Sequence, residues 1–420
     1  MTYDTVVIGA GLAGLTAALR LADQGQRVLV VAKGVGATHL SPATIDVLGY
    51  HNGTVASPAR ALPAFTAAYP DHPYGHLPLS LIRASLEWFK ARTDELGYRG
   101  SLDENVLLPT AVGVAKPAAL VPEAMAAGDL RRGGRFVFVG LRGLKDFYAS
   151  YLADNLSRAE MTTGTSLVAR AIEVAPPLGE EGDVGTLGFA RRFEQPSFRE
   201  SLLRELDARI DSDEVVGFPA VLGHRAARTV RQELETKLGR PVFEVATLPP
   251  SVPGIRLFET MTSALRRAGG RLIVGSAVVG AAGGTGRIEA VEAQALPRSA
   301  TYSARSFVLA TGGFASGGLD VDSFGNIRET VFGLPLGNLP ASGRPRFAPE
   351  YFEEHALART GVAVGKDLRP LDGDGVPVRE NVHVAGTTLA GAIPWREASG
   401  NGLSVATGYA AAAAILERSS

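Results

Sequence analysis

Asp4-Thr5-Val6-Val7-Ile8-Gly9-Ala10-Gly11-Leu12-Ala13-Gly14 is the stretch on which the fold reading turns. An apolar run at residues 5–8 enters a turn whose glycines are spaced G-x-G-x-x-G. Apolar positions Leu12, Leu15, Leu19 and Ala22 then recur at helical intervals until Gly25 stops them. Val28-Leu29-Val30-Val31 follows, short enough for a buried parallel strand, which completes a strand–helix–strand unit with a right-handed crossover. In that context Gly9 permits the tight turn, Gly11 lets the backbone approach a phosphate, and Gly14 lets helix and strand pack closely. The unpaired amides and the positive dipole end at the start of the helix then attract an anion.

The place that ordinarily carries a ribose-binding carboxylate reads Val31-Ala32-Lys33-Gly34, with no acid. An adenosine ribose would lose its usual acceptor there. The pattern therefore favours FMN, whose single phosphate needs the cradle alone, with FAD as the alternative. Lys33 and Ser41, at either end of the following loop, are placed to meet a phosphate or the flavin ring.

Farther along, residues 176–188 are rich in Pro, Gly and acids and read as a surface crossing between domains. Residues 272–274, 276–282 and 288–295 read as strands of a β-meander, broken by Gly283-Gly284-Thr285-Gly286. Phe307-Val308-Leu309 runs into Ala310-Thr311-Gly312-Gly313, and Val382-His383-Val384 into Ala385-Gly386. Ala398-Ser399-Gly400-Asn401-Gly402 opens an Ala-rich last helix. A late strand ending in a small-residue turn lets backbone pass close to a flat ligand. Paired with the opening glycine motif, it marks the two-dinucleotide-fold flavoproteins. The start of the last helix would face the flavin pyrimidine, its positive end stabilising charge on the ring.

The expected fold is α/β, a Rossmann-like FAD/NAD(P)-binding flavoprotein fold with a parallel sheet, a β-meander and an inserted α+β cap domain. Residues 1–175 and 271–420 form the flavin-binding body, and 176–270 form an inserted substrate, cap or partner-docking domain. The candidate cofactor-binding residues are Gly9, Gly11, Gly14, Lys33, Ser41, Thr311, Gly312, Gly386, Gly400, Asn401 and Gly402.

Composition narrows the chemistry. Among 420 residues, 42 Lys and Arg face 43 Asp and Glu, so no field attracts nucleic acid. Cysteine is absent, which excludes disulfides, thiolate zinc sites, Cys-ligated iron–sulfur clusters and a Cys nucleophile in this chain. His51, His72, His76, His355 and His383 lack partnered spacing, so no metal is expected. No run approaches the ~20 apolar residues of a membrane helix. The expected location is cytoplasmic, with membrane contact only through another polypeptide.

The chain resembles the family of B subunits of anaerobic glycerol-3-phosphate dehydrogenases, nearly end to end. The carriers are residues 4–14, His39-Leu40-Ser41, Ile45-Asp46-Val47-Leu48, Gly143-Leu144-Lys145-Asp146-Phe147, Phe218-Pro219-Ala220-Val221 and residues 310–313. The most particular is Leu248-Pro249-Pro250-Ser251-Val252-Pro253-Gly254-Ile255-Arg256-Leu257. The resemblance implies oxidation of sn-glycerol 3-phosphate to dihydroxyacetone phosphate, with electrons passed to quinone and FMN as cofactor. It implies two partners in a complex. One is the catalytic flavoprotein, or A subunit. The other is a membrane-associated iron–sulfur protein, the C subunit, which holds the complex at the inner membrane.

Such an oxidation needs a base near the hydroxyl and cations for the phosphate. His39, Arg256 and His224 are the catalytic candidates, and Arg396 and Glu397 would line the site beside the last helix. Two other readings stay open: a non-catalytic electron-transfer or scaffold subunit docking the catalytic one, and a fumarate- or ketosteroid-type flavoprotein reductase.

Overall fold

Strands that read as unbroken apolar runs bury both faces, and here they do. All five residues of Val28–Ala32 are buried. The computed structural model describes residues 2–159, 164–178, 182–295, 298–341 and 345–419. Its principal elements in chain order begin with β1 (Thr2–Ile8), α1 (Leu12–Asp23) and β2 (Val28–Ala32). An inserted layer follows, with β3 (Gly134–Leu141), β4 (Leu167–Val174), β5 (Glu214–Pro219) and β6 (Val242–Val245). Then come α2 (Val252–Arg267), β7 (Arg271–Val274), β8 (Ala277–Gly283), β9 (Ile288–Ala295), β10 (Arg298–Leu309), β11 (Val382–Val384) and α3 (Gly400–Ser419).

The main sheet has seven strands in the order β7-β2-β1-β10-β9-β8, with β11 also on β10. Strand β10 serves two structures. Its first half pairs antiparallel with β9, and its second half lies parallel between β1 and β11. The hairpin β8–β9 therefore leaves the sheet from the strand that feeds residues 310–313. The sequence pattern assigns 272–274 to this meander. Strand β7 instead lies parallel to β2 at the far edge, where its short apolar run finds a partner.

Helices α1 and α3 cross on one face of this sheet. A Cβ at Gly408 would fall inside van der Waals contact of Ala13 O, so the crossing depends on its absence. The core beneath them gathers Leu15, Leu19, Val30, Val308, Leu403 and Ala411.

The insert is a second α/β layer. Its sheet, in the order β6-β5-β3-β4, is parallel throughout, where an α+β cap was expected. Its core runs from Leu107 to Val252. The expected division at 176–270 thus differs from the structure at both ends. β3 and β4 hydrogen-bond into the insert, whereas Leu257, Met261 and Leu265 of α2 pack into the first core. Residues 179–181 of the supposed crossing lie outside the described residues. The segment around them joins β4 to the helix Thr186–Phe193, both within the second core.

Candidate functional site

The carboxyl ends of β1, β2, β10 and β11 open on one cleft of about 1000 Å³. In open α/β sheets this is where ligands bind, and the volume suits a large cofactor. The turn after β1 forms its floor. Gly9 has a φ of +112°, and a Cβ there would strike the Ala310 carbonyl. A Cβ on Gly14 would strike the Gly9 carbonyl, so this glycine seats α1 against the turn and does not border the cleft. Gly11 faces the opposite situation: no atom lies within 4 Å of where its Cβ would be. That open space is cleft.

Gly11 is also the N-cap of α1, and no side chain caps the helix there. By contrast, Ser251 caps α2, accepting from the Gly254 N–H at 3.1 Å. The first amides of α1 are thus left for whatever occupies the cleft. The loop after β2 folds back over this turn, with exposed Lys33 at its rim. Thr38 and Thr311 both line the cleft, and each has a buried hydroxyl oxygen with no partner among the described residues. Sequence reading missed Thr38, although it lies in a loop already assigned to phosphate. It also missed Ala277-Val278-Val279, which lines the far end through a strand that carries no motif.

Gly312, Gly386, Gly400 and Asn401 close the other end. The amides of Gly312 and Gly386 are engaged, donating to Thr388 Oγ1 at 2.9 Å and Thr407 Oγ1 at 2.8 Å. These bonds set the turns rather than leaving donors free. Asn401 Nδ2 donates to Ser41 Oγ at 2.6 Å and to the Thr44 carbonyl at 2.7 Å. Ser41 therefore does not border the cleft but ties its loop to the start of α3. Gly402, expected among the cofactor-binding residues, gives its N–H to the Asp46 carbonyl at 2.9 Å, and a Cβ there would collide with Val47. Behind it, Lys116 forms an ion pair with Asp46 and reaches Thr44 Oγ1 at 3.3 Å. No sequence signal marked this pair.

The three catalytic candidates lie elsewhere. Arg256 is buried and its fork grips both Glu244 oxygens, Nη1 at 2.6 Å and Nη2 at 2.9 Å, while Nε donates to the Gly223 carbonyl at 3.0 Å. Each guanidinium nitrogen is engaged in this pairing, and the side chain does not border the cleft. His224 Nε2 lies 3.0 Å from Glu259 Oε2, and its ring does not border the cleft. His39 turns away from the cleft that its neighbours Thr38 and Leu40 line, and its ring meets Phe258 edge-on at 4.9 Å. Burial holds this imidazole below its usual pKa, against a smaller opposing effect of Glu259. Arg396 is exposed and donates to the Phe352 carbonyl, while Glu397 is buried, and neither borders the cleft. A loop position says which strand end a residue is near, but not which way it points.

Charged side chains lining the cleft are Lys33 and Arg328, the latter paired with Asp320 at 3.0 Å; among the described residues no Asp, Glu or His lines it. Uncapped helix amides, buried unpartnered hydroxyls and apolar walls fit a nucleotide-bearing cofactor, and they offer no acid–base pair. Fold and cleft together define a flavin-binding oxidoreductase of the dinucleotide-fold class.

A family model described as FAD binding domain matches residues 4–403. A Halobacterium salinarum protein, named as a probable B subunit of anaerobic glycerol-3-phosphate dehydrogenase, is 35% identical, over 99% of this chain and 98% of that one. The B subunit of the Pectobacterium carotovorum anaerobic glycerol-3-phosphate dehydrogenase is 30% identical, over 99% of each chain. Among solved structures, the 3-ketosteroid Δ1-dehydrogenase of Sterolibacterium denitrificans is similar at a TM-score of 0.48 and 12% identity, over 99% of this chain and 100% of that one. That likeness bears on neither substrate nor mechanism. The chain belongs to the FAD-binding flavoproteins and, within them, to the family of anaerobic glycerol-3-phosphate dehydrogenase B subunits.

Proposed function

We propose that this chain is an FAD-carrying member of a complex that oxidises sn-glycerol 3-phosphate to dihydroxyacetone phosphate and passes the electrons to quinone. One observation carries the cofactor reading: the cleft continues from residues 277–279, past the start of α1, to Asn401. A cradle confined to the glycine turn would suit FMN, the cofactor that the missing acid at Ala32 favours. The extension toward β8 gives an adenosine half a place to lie. Gly11, Leu12 and Ala13 amides would hold the phosphates, with Lys33 as a nearby cation. Gly400 and Asn401 would meet the ring. When bound, FAD supplies two-electron redox chemistry that side chains lack.

The relatives' names support glycerol 3-phosphate as substrate and a complex of several subunits. The partners proposed are a catalytic flavoprotein and a membrane-associated iron–sulfur protein. With no cysteine in this chain, cluster ligands would come from another. Among the described residues no helix is long and apolar enough to cross a membrane, so docking at the inner membrane would fall to the iron–sulfur partner.

The cleft lining favours a second reading of the division of labour. Removing the proton of a secondary alcohol calls for a base within hydrogen-bond reach, and among the described residues no Asp, Glu or His lines the cleft. A chain that holds flavin and relays electrons, while its partner oxidises the alcohol, accounts for that. The test is reconstitution with FAD followed by assay with glycerol 3-phosphate and a dye acceptor, alone and with the catalytic flavoprotein partner. Flavin absorption bands with turnover by the chain alone support direct catalysis. Bands with turnover only in the complex support the relay. Protein that stays colourless with either flavin overturns both.

A further inference from the structure

A buried carboxylate stands in the turn that leads into α3. Glu397 is 5% exposed and sits in the turn before α3. Its Oε1 accepts from the Ile393 N–H at 2.7 Å, and its Oε2 from Ser399 Oγ at 2.8 Å. His72, fully buried and 325 residues away in sequence, reaches the same Oε2 at 3.2 Å. The Tyr74 N–H donates to His72 Nδ1 at 3.1 Å, which leaves the ring proton on Nε2 to donate to Glu397. The Gly49 N–H donates to the Glu397 carbonyl at 2.8 Å, and the Tyr50 N–H to the same atom at 3.0 Å.

This clamp surrounds a strained residue. Ala398 stands at φ +47°, a left-handed conformation costly for a residue with a Cβ. Two residues later the chain reaches Gly400 and Asn401 at the cleft. Burial pushes the Glu397 carboxyl up, but the His72, Ile393 and Ser399 donors outweigh it and hold it below its usual range. A buried charge is expensive where an apolar residue would pack as well. Its placement immediately before the cleft-facing turn gives it a use.

We propose that Glu397, oriented by His72, is a positioning residue that fixes the first turn of α3 against the ring end of the cofactor. The proposal rests on the FAD reading above. His72→Phe keeps an aromatic ring against Phe65 and removes the donor, whereas His72→Gln restores an N–H donor to the carboxylate. In the full chain, FAD affinity is measured by fluorescence titration and the bound flavin's midpoint potential by dye equilibration.

His72→Phe should weaken FAD binding about tenfold and weaken binding of reduced flavin a further tenfold, a fall of about 30 mV for a two-electron couple. His72→Gln should recover most of both. A His72→Phe protein with wild-type affinity and potential overturns the proposal, even if it melts earlier. So does His72→Gln behaving like His72→Phe. If His72→Phe fails to fold, Ser399→Ala removes another donor to the same oxygen and is held to the same two readouts. Wild-type protein that binds no FAD would instead overturn the cofactor reading.

Discussion

Gly11 and Gly14 are three residues apart and share one motif, yet their missing side chains do different work. At Gly14 an added Cβ meets the Gly9 carbonyl, so overpacking of about 1–3 kcal/mol opposes the ~1 kcal/mol helix gain that Gly→Ala normally brings. At Gly11 the backbone is extended, φ −69° and ψ 175°, and the space in front is open. Urea denaturation of the apoprotein should therefore show Gly14→Ala destabilised, with Gly11→Val within about 0.5 kcal/mol of wild type. FAD titration should show Gly11→Val weakened at least tenfold. Equal stability losses in the two variants would mean that Gly11 is a packing residue. Both glycines were legible in the sequence because this motif's spacing encodes backbone geometry. His39 was not, because a histidine in a loop carries no record of its rotamer.

At the scale of elements, β11 shows what a three-residue strand must bury. His383 sits at its centre opposite Val308, almost fully buried, and among the described residues neither ring nitrogen has a hydrogen-bond partner. Burial lowers its pKa from 6.5 to about 4, outweighing the opposite pull of Asp367. The folded pKa lies below the unfolded one, so the neutral ring contributes stability that is complete above pH 6.5. That contribution is lost as pH falls toward 4, because the unfolded chain accepts a proton that the fold resists. Its full size is on the order of 3 kcal/mol. Urea unfolding near neutral pH and again near the folded pKa should show a smaller acid loss for His383→Phe than for wild type. An identical acid loss in both would place the sensitivity in other groups. The sequence identified this strand and its glycine turn, whereas the partner of β7 was set by sheet order that local pattern does not carry.

Across the whole molecule, two cores are joined where α2 passes between them. Arg256 rises from a helix packed in the first core and binds Glu244 on β6 and the Gly223 carbonyl of the second. Both charged partners are buried. Removing one member leaves a buried charge alone, at a cost of about 3–5 kcal/mol. Arg256→Met should lower stability by that order in urea unfolding while the folded fraction keeps wild-type FAD affinity. A variant of unchanged stability but raised KM for glycerol 3-phosphate would return the guanidinium to a substrate role. The insert's true extent, residues 107–252 in core terms, is hidden in the sequence because β3 carries the same buried apolar run as the strands of the main sheet. Periodicity identifies a buried strand without saying which sheet it joins.

The sequence by itself determined what depends on short-range geometry. A G-x-G-x-x-G turn between strand and helix, small-residue turns after β10 and β11, and the glycines before α3 each dictate backbone shape over a few residues. Together they specify a dinucleotide-type cleft. Only the tertiary structure decided which side chains reach that cleft, because direction and partnership arise from contacts between segments far apart in the chain. His39 turned to Phe258, Arg256 closed on Glu244, and His72 found Glu397 across 325 residues, none of which a local pattern can encode.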